Sequence, residues 1–407
     1  KPGRRRNFKG SIIPLFATRD ERMMAEAISL GRKRKGRTGA NPAVGCVVAR
    51  GDAVLGRGYH EREGAAHAEV VALREAGPRA RGATMYVTLE PCAAAGRTPP
   101  CAPAVGRAGI ARIVIGTLDP NPRTAGKGAA TLRRAGVRVD VGVRERECRH
   151  LAEYFAKFLA TATPWVTAKY AMSLDGKIAT RTGDAEWVSG EAARRYAHSL
   201  RWEHAAVAVG AGTLEADDPR LTVRLRGCDR AEGPTRVIVS SEARVPAAAR
   251  LFEDAEGPPI WVVCTPRASS RNIARLTRRG AEIIICEEDE EGKVAPASLL
   301  AKLGERKVTS LLVEGGSALL GNFFDRELVD RVVAVIAAKV VGGRRAVTAV
   351  GGEGVARVAD ARELREVRRR SIGGDVVLEG CLTDVDDFFR NVERATASFA
   401  RARAKAR

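Results

Sequence analysis

Apolar residues recur along this chain in two alternating spacings, and the alternation predicts the class of fold. A helix-spaced stretch at Glu21–Lys33 precedes strand-like runs at Gly45–Arg50 and Ala53–Tyr59, which a Gly-Asp turn joins. Helical spacing returns at Ala66–Ala76 and is followed by a strand at Thr84–Glu90. A helix from Cys101, a strand at Arg112–Leu118, a helix near Lys127–Ala135 and a strand at Val137–Val143 complete the order. Helices alternating with strands predict an α/β layered domain with a mostly parallel sheet.

Leu151–Thr163 reads as a short helical connector, and Pro164 opens a second α/β unit. Its strands are expected at Trp165–Ala171, Ala205–Gly210, Thr235–Ser240, Pro259–Cys264, Glu282–Cys286, Ser310–Val313 and Val332–Ala338, with helices between. A later strand is expected at Asp375–Cys381. Trp165–Thr180 should add a loop at Asp175-Gly176 and a second strand, and Asp217, Asp218, Pro219 and Arg224 should lie in a loop. Asp386–Arg407 reads as helical at first and then frayed. The expected division is a basic extension (1–18), a first domain (19–148), a linker (149–163), a second domain (164–385) and a basic tail (386–407).

Composition narrows the function. With 407 residues and 45% hydrophobic content the chain can build two packed cores. No apolar run approaches the ~20 residues of a membrane span. Eight cysteines without paired spacing point to a reducing cytoplasm, and no targeting peptide is visible at the start. The formal charge of +20 invites a nucleic-acid reading, but much of the excess sits in Lys1–Lys9 and Arg401–Arg407. Aromatic residues are only 5%, too few for stacking platforms on single strands. An arginine-heavy surface that reflects composition and solubility accounts for the charge, and basic pockets for a phosphorylated small substrate and cofactor would also suit it.

The chemistry concentrates in His67-Ala68-Glu69, Pro91-Cys92 and Cys101. One imidazole and two thiolates leave a fourth tetrahedral position on zinc open for a water, whose pKa the ion lowers to about 7. Glu69, which does not bind the metal, can carry protons from that water to departing ammonia. The zinc-deaminase signature joins H-x-E to P-C-x-x-C; here eight residues separate the two cysteines.

A second constellation lies at Leu311–Leu319, where a strand runs through Glu314-Gly315-Gly316-Ser317 into a helix. Such a turn aims free N–H groups and the helix dipole at an anion, although Gly-Gly before a helix is equally an ordinary turn. Gly210-Ala-Gly212-Thr-Leu-Glu215 fails the last position of a G-x-G-x-x-G fingerprint, which disfavours a Rossmann dehydrogenase. Arg201 and Arg224 could form a bidentate clamp for a substrate phosphate.

Together these segments resemble the bifunctional riboflavin-biosynthesis deaminase/reductase family over about residues 20–385. The resemblance is carried by Asn41-Pro42, Val44-Gly45-Cys46, His67-Ala68-Glu69, Thr88–Cys92, Gly96–Cys101, Asp119-Pro120-Asn121-Pro122 and Ala125–Gly128. In the second half it is carried by Lys169, Ser173–Gly176, Ala216–Pro219 and Val313–Gly316.

The resemblance implies a cytidine-deaminase-like three-layer α/β/α domain followed by a dihydrofolate-reductase-like α/β domain. It implies zinc-dependent hydrolytic deamination of 2,5-diamino-6-ribosylamino-4(3H)-pyrimidinone 5′-phosphate, then NADPH-dependent reduction of the product's ribosyl group to ribityl. His67, Cys92 and Cys101 would hold zinc, Glu69 would be the proton shuttle, and Asn41, Arg97, Asp119 and Asn121 would line the deaminase pocket. Ala171, Trp187, Thr213, Asp217, Ser241, Gly316, Ser317, Ala318, Leu319, Leu320, Gly321 and Asn322 match cofactor-contacting positions. Ala185, Arg201, Leu221, Arg224 and Glu314 match positions at the reductase substrate, the two arginines at its phosphate. The family also implies association through the reductase half.

Departures from the family leave alternatives open. Ala93-Ala94-Ala95 replaces a usual Ser-His-His, removing a histidine that helps hold the deaminase substrate, and Ala185 replaces a serine. Each lost hydrogen bond costs about 0.5–1.5 kcal/mol, which weakens binding without abolishing turnover. A reductase with an impaired deaminase half is therefore the first alternative, and an RNA-binding or RNA-editing protein the remote one.

Overall fold

Thr18 starts the first helix, Arg19–Arg32, with a capping box: its hydroxyl accepts the Glu21 N–H at 3.3 Å, while the Glu21 carboxylate accepts the Thr18 N–H at 2.7 Å. This computed structural model describes residues 17–94, 99–229, 231–254 and 256–390. They fall into two units, the first of residues 17–34, 43–152 and 389–390, the second of residues 35–42 and 153–388. Among the described residues no helix is long and apolar enough to cross a membrane.

The first unit carries strands β1 (Gly45–Arg50), β2 (Ala53–Tyr59), β3 (Thr84–Leu89), β4 (Arg112–Thr117) and β5 (Arg138–Val141) in the order β2-β1-β3-β4-β5. β3, β4 and β5 pair in parallel, but β1 is antiparallel to both neighbours. The expected mostly parallel sheet is thus corrected to a mixed one. The Gly51-Asp52 turn is too short to return a strand in parallel.

Glycines in two strands let helices lie directly on this sheet. A Cβ on Gly45 would come within 1.9 Å of the Ala27 carbonyl oxygen, and one on Gly58 within 2.0 Å of that of Ala68. The second contact presses the helix Ala68–Ala76 against β2 and so fixes the height of His67 at its start.

The second unit carries β6 (Trp165–Ser173), β7 (Ala206–Gly210), β8 (Thr235–Val239), β9 (Ile260–Cys264), β10 (Glu282–Ile285), β11 (Ser310–Val313), β12 (Arg331–Ala337), β13 (Arg365–Ile372) and β14 (Asp375–Cys381). They form one sheet in the order β10-β9-β8-β7-β11-β6-β12-β14-β13. Pairings are parallel through β12, and β14 then runs antiparallel to β12 and β13. β11 is buried along its whole length, as an interior parallel strand covered on both faces must be. Two apolar clusters pack on the sheet, one including Leu200, Val207, Ile238 and Leu312, the other Val166, Ala208, Leu311 and Phe323.

Four sequence expectations change. No strand follows Gly176; Lys177 makes only an isolated bridge to Thr348. Ala211–Asp217 is a short helix, so Asp217 ends a helix and only Asp218 onward is loop. The connector is the C-terminal part of one continuous helix, Glu145–Thr161. β13 escapes the apolar pattern altogether, because this edge strand is mostly exposed and carries Arg365 and Arg368–Arg370. Its Arg370 guanidinium lies 4.2 Å from the Tyr196 ring centre. Of the final segment, Val385–Phe389 is a 3-10 turn, and the predicted tail beyond Arg390 lies outside the described residues, as does most of the N-terminal extension.

Candidate metal centre and cofactor cleft

Three local structures converge in the first unit. His67 caps the helix Ala68–Ala76 with extended backbone angles, which places Glu69 in the first turn. β3 ends at Leu89 and hands the chain on to Pro91-Cys92, while Cys101 begins the helix Cys101–Arg107. The His67 Nδ1 atom is 3.7 Å from the Cys92 Sγ and 3.2 Å from the Cys101 Sγ. The three donor atoms all lie within 4.8 Å of one another. Tetrahedral zinc with its usual N and S bond lengths separates such donors by about 3.5 Å, so the set fits the ion.

The surroundings favour thiolate at Cys92, while Cys92 and burial push the Cys101 thiol up. Cys101 N–H donates to the Cys92 Sγ at 3.3 Å. The Cys92 thiol is drawn down to about 4, first by the hydrogen bond from the Cys101 thiol and then, against burial, by His67. Glu69 is only 4% exposed, and burial lifts its carboxyl above the ordinary carboxylate range, opposed by its own N–H and by His67. Glu69 is thus a buried acid beside the donors and outside the donor set.

His60 is a neighbour that sequence reasoning missed. It follows β2, its ring meets His67 edge-on with centroids 5.3 Å apart, and its Nδ1 lies 3.3 Å from the Ala66 carbonyl oxygen. An isolated histidine after a strand carries no spacing signal that would have singled it out.

Asp119 and Asn121 occupy the loop after β4. Asp119 accepts the Asn121 N–H at 2.9 Å and the Thr124 hydroxyl at 2.7 Å, and burial raises its carboxyl. Asn41 belongs to the segment 35–42 of the second unit, where its carbonyl oxygen accepts the Thr38 hydroxyl at 2.7 Å. Arg97 lies outside the described residues. Ala93 and Ala94 offer no polar side-chain atom beside Cys92.

The second unit contains a cleft of about 1330 Å³. Of the residues that the resemblance implies, Ala171, Ala185, Trp187, Arg201, Thr213, Asp217, Leu221, Arg224, Glu314, Gly316, Ser317, Ala318, Leu319 and Leu320 line it. Three further expected residues do not. Ser241 Oγ accepts the Val294 N–H at 3.1 Å, and Asn322 Nδ2 donates to Asp289 at 3.1 Å. Gly321 packs on backbone, with only 2.3 Å between its would-be Cβ and Gly351 C. With 3.6 residues per turn, the helix Ser317–Asp325 cannot turn all of its first six residues to one side.

The glycine pair before that helix is a steric requirement. Gly315 has φ +124°, and a Cβ on Gly316 would sit 2.8 Å from Thr213 Oγ1. The helix start is thereby held against the cleft, where its N–H groups suit phosphate oxygens.

Arg201 and Arg224 both line the cleft and both reach Thr222, but the Nε–Nη2 edge of Arg201 is bound to Glu314 at 2.9 and 2.5 Å. Its Nη1 donates to the Thr222 carbonyl oxygen at 3.0 Å, and Arg224 Nη1 lies 3.4 Å from the Thr222 hydroxyl. Burial pulls Glu314 upward, yet Arg201 and then Lys169 hold its carboxyl below the ordinary range. Two more lining residues were not assigned a role from sequence: Lys169, which burial pushes down, and His198, which burial and the two arginines hold near 4.

Comparisons with known proteins agree with both halves. Residues 17–117 match the cytidine and deoxycytidylate deaminase zinc-binding region, and residues 164–378 match the RibD C-terminal domain. The riboflavin biosynthesis protein RibD of Aquifex aeolicus is 40% identical over 359 residues, covering 88% of this chain and 97% of that protein. Its namesake in Escherichia coli K12 is 36% identical over 371 residues, covering 88% and 98%. The structure of Acinetobacter baumannii RibD, form 1, is similar at a TM-score of 0.76 and 34% identity, covering 90% of this chain and 99% of that one. A Thermotoga maritima diaminohydroxyphosphoribosylaminopyrimidine deaminase/5-amino-6-(5-phosphoribosylamino)uracil reductase is similar at 0.76 and 33%, covering 88% and 97%. With the zinc donors and the cleft in place, this chain belongs to the RibD family of riboflavin biosynthesis proteins.

Proposed function

We infer that the chain performs two steps of riboflavin biosynthesis: deamination of the diaminopyrimidinone phosphate in the first unit and NADPH-dependent reduction of its ribosyl group in the second. The convergence of His67, Cys92 and Cys101 beside buried Glu69 is the observation that carries this reading. His67, Cys92 and Cys101 would hold zinc, which would supply Lewis acidity toward water. Glu69 takes the proton of the attacking water and returns it to the leaving amine, so that ammonia departs. Asp119 and Asn121 are proposed to orient the pyrimidine, a role that the family resemblance also implies for Asn41 and Arg97.

In the cleft, the amides at Ser317–Leu319 and Thr213 are proposed to hold NADPH, with Trp187 at the rim. NADPH held there would supply the hydride for the ribosyl C1′, with a proton for the adjacent nitrogen. Arg201, Arg224, Leu221 and Glu314 are proposed to orient that substrate, with Lys169 beside Glu314. A reducing cytoplasm is supported by eight free cysteines, and association through the second unit is proposed from the family. Gel filtration of the full chain tests the latter.

Supplying the diaminopyrimidinone phosphate with and without NADPH tests the function. Ammonia release is expected in both cases and NADPH oxidation only after it. NADPH oxidation with the already deaminated compound, but no ammonia from the diamino one, would favour a reductase with an impaired deaminase half, the alternative that Ala93 and Ala94 raise and the intact His67, Glu69, Cys92 and Cys101 oppose.

A further inference from the structure

Glu90 stands between the end of β3 and the zinc donor Cys92, only 6% exposed, and is not one of the clustered donors. Its carboxylate accepts three backbone N–H groups. Oε2 takes those of Asp119 at 3.2 Å and Gly126 at 2.9 Å, and Oε1 takes that of Ala129 at 2.9 Å. All three donors belong to the stretch that runs from the end of β4 into the helix Lys127–Arg134.

Independent sterics fix the same contact. Gly126 has φ +76°, and a Cβ on Gly128 would approach the Pro91 carbonyl oxygen to 2.0 Å and Glu90 Cγ to 3.1 Å. Inside the loop, Asp119 holds the Asn121 N–H and the Thr124 hydroxyl, and the Ala125 N–H bonds the Asn121 carbonyl oxygen at 2.8 Å. The loop is thus stiff within itself and tied to the segment that delivers Cys92. One carboxyl group here serves three backbone donors.

We propose that Glu90 is a positioning residue that holds the Asp119–Gly128 loop in register with the metal centre, so that it governs binding of the aminopyrimidine. This rests on the reading above that Asp119 and Asn121 contact the substrate. An amide at position 90 would keep one oxygen acceptor and turn an NH2 group toward a backbone N–H.

The test is deamination kinetics and zinc content of Glu90→Gln in the full-length holoenzyme, beside the wild type. KM for the diaminopyrimidinone phosphate should rise about 10- to 100-fold, with kcat within a few-fold, zinc stoichiometric and NADPH-dependent reduction unchanged. Gly128→Ala, which pushes the loop away from the other side, should give the same split; Glu90→Asp, which keeps the charge, should recover part of the loss. Normal KM in Glu90→Gln and Gly128→Ala overturns the proposal, as does zinc loss with a matching fall in kcat. A wild type that releases no ammonia overturns the underlying reading and the proposal with it, whereas an active wild type beside unchanged variants overturns the proposal alone.

Discussion

Arg201 and Glu314, 113 positions apart in the chain, meet fork to fork in the cleft, with Nε and Nη2 donating to the two carboxylate oxygens at 2.9 and 2.5 Å. The pair keeps Glu314 ionised despite its burial. An arginine expected from sequence to hold phosphate therefore also fixes an acid.

Arg201→Lys keeps the charge but loses the planar fork. Charge-assisted hydrogen bonds contribute about 1.5–3 kcal/mol, so kcat/KM for NADPH oxidation should fall about 10- to 100-fold. Ammonia release should not change. Steady-state assays of both reactions on one preparation check this, and an unaltered reductase would remove Arg201 from the proposed site.

Glu69→Ala should slow ammonia release by about 10²–10⁴-fold, the usual contribution of a placed acid–base group. Zinc should remain bound, because the three donors are intact, and reduction of the already deaminated compound should continue. Normal deamination by this variant would end the shuttle assignment.

Metal removal should separate the two units functionally. After chelation, deamination should be lost and return with added zinc, while NADPH oxidation with the deaminated substrate stays at its starting rate. Cys101→Ser should lose zinc in the same way, measured by atomic absorption. Full deamination by the metal-free chain would sink the centre.

His204 sets an acid limit on stability. It is fully buried, and burial drives its imidazole from 6.5 down to about 3. Its Nδ1 lies 2.7 Å from the Leu200 carbonyl oxygen, and its Nε2 lies 2.8 Å from the Thr167 hydroxyl and 3.1 Å from that of Tyr154. The unfolded chain binds a proton here below about pH 6.5, whereas the folded chain takes none until about 3. Stability should therefore fall with pH inside that window, by up to about 1.4 kcal/mol per pH unit from this group. Thermal melts should show a shallower decline for His204→Asn, despite a lower Tm near neutrality. His198, held near 4 by burial and the two arginines, should account for part of what remains.

Much of the metal centre was legible because its signals are local. His67 and Glu69 share a helix start, Cys92 follows a strand and Cys101 opens a helix, so periodicity alone placed each on its element. β13 was not legible, since an exposed edge strand rich in arginine lacks the apolar alternation that marks half-buried ones. The run from Gly316 to Asn322 was legible as a helix start but not as a surface: only its first turn and a little more reach the cleft.

Residue order by itself determined the succession of helices and strands, the His67, Cys92 and Cys101 set with Glu69 beside it, and the glycine pair before the helix Ser317–Asp325. Those features depend on neighbours within a few positions, where backbone geometry repeats. Only the tertiary structure decided that β1 runs antiparallel to β3, that Arg201 closes on Glu314, and that Glu90 gathers three amides from the loop after β4. Such pairings join segments tens of residues apart, and packing rather than spacing brings them within hydrogen-bond reach.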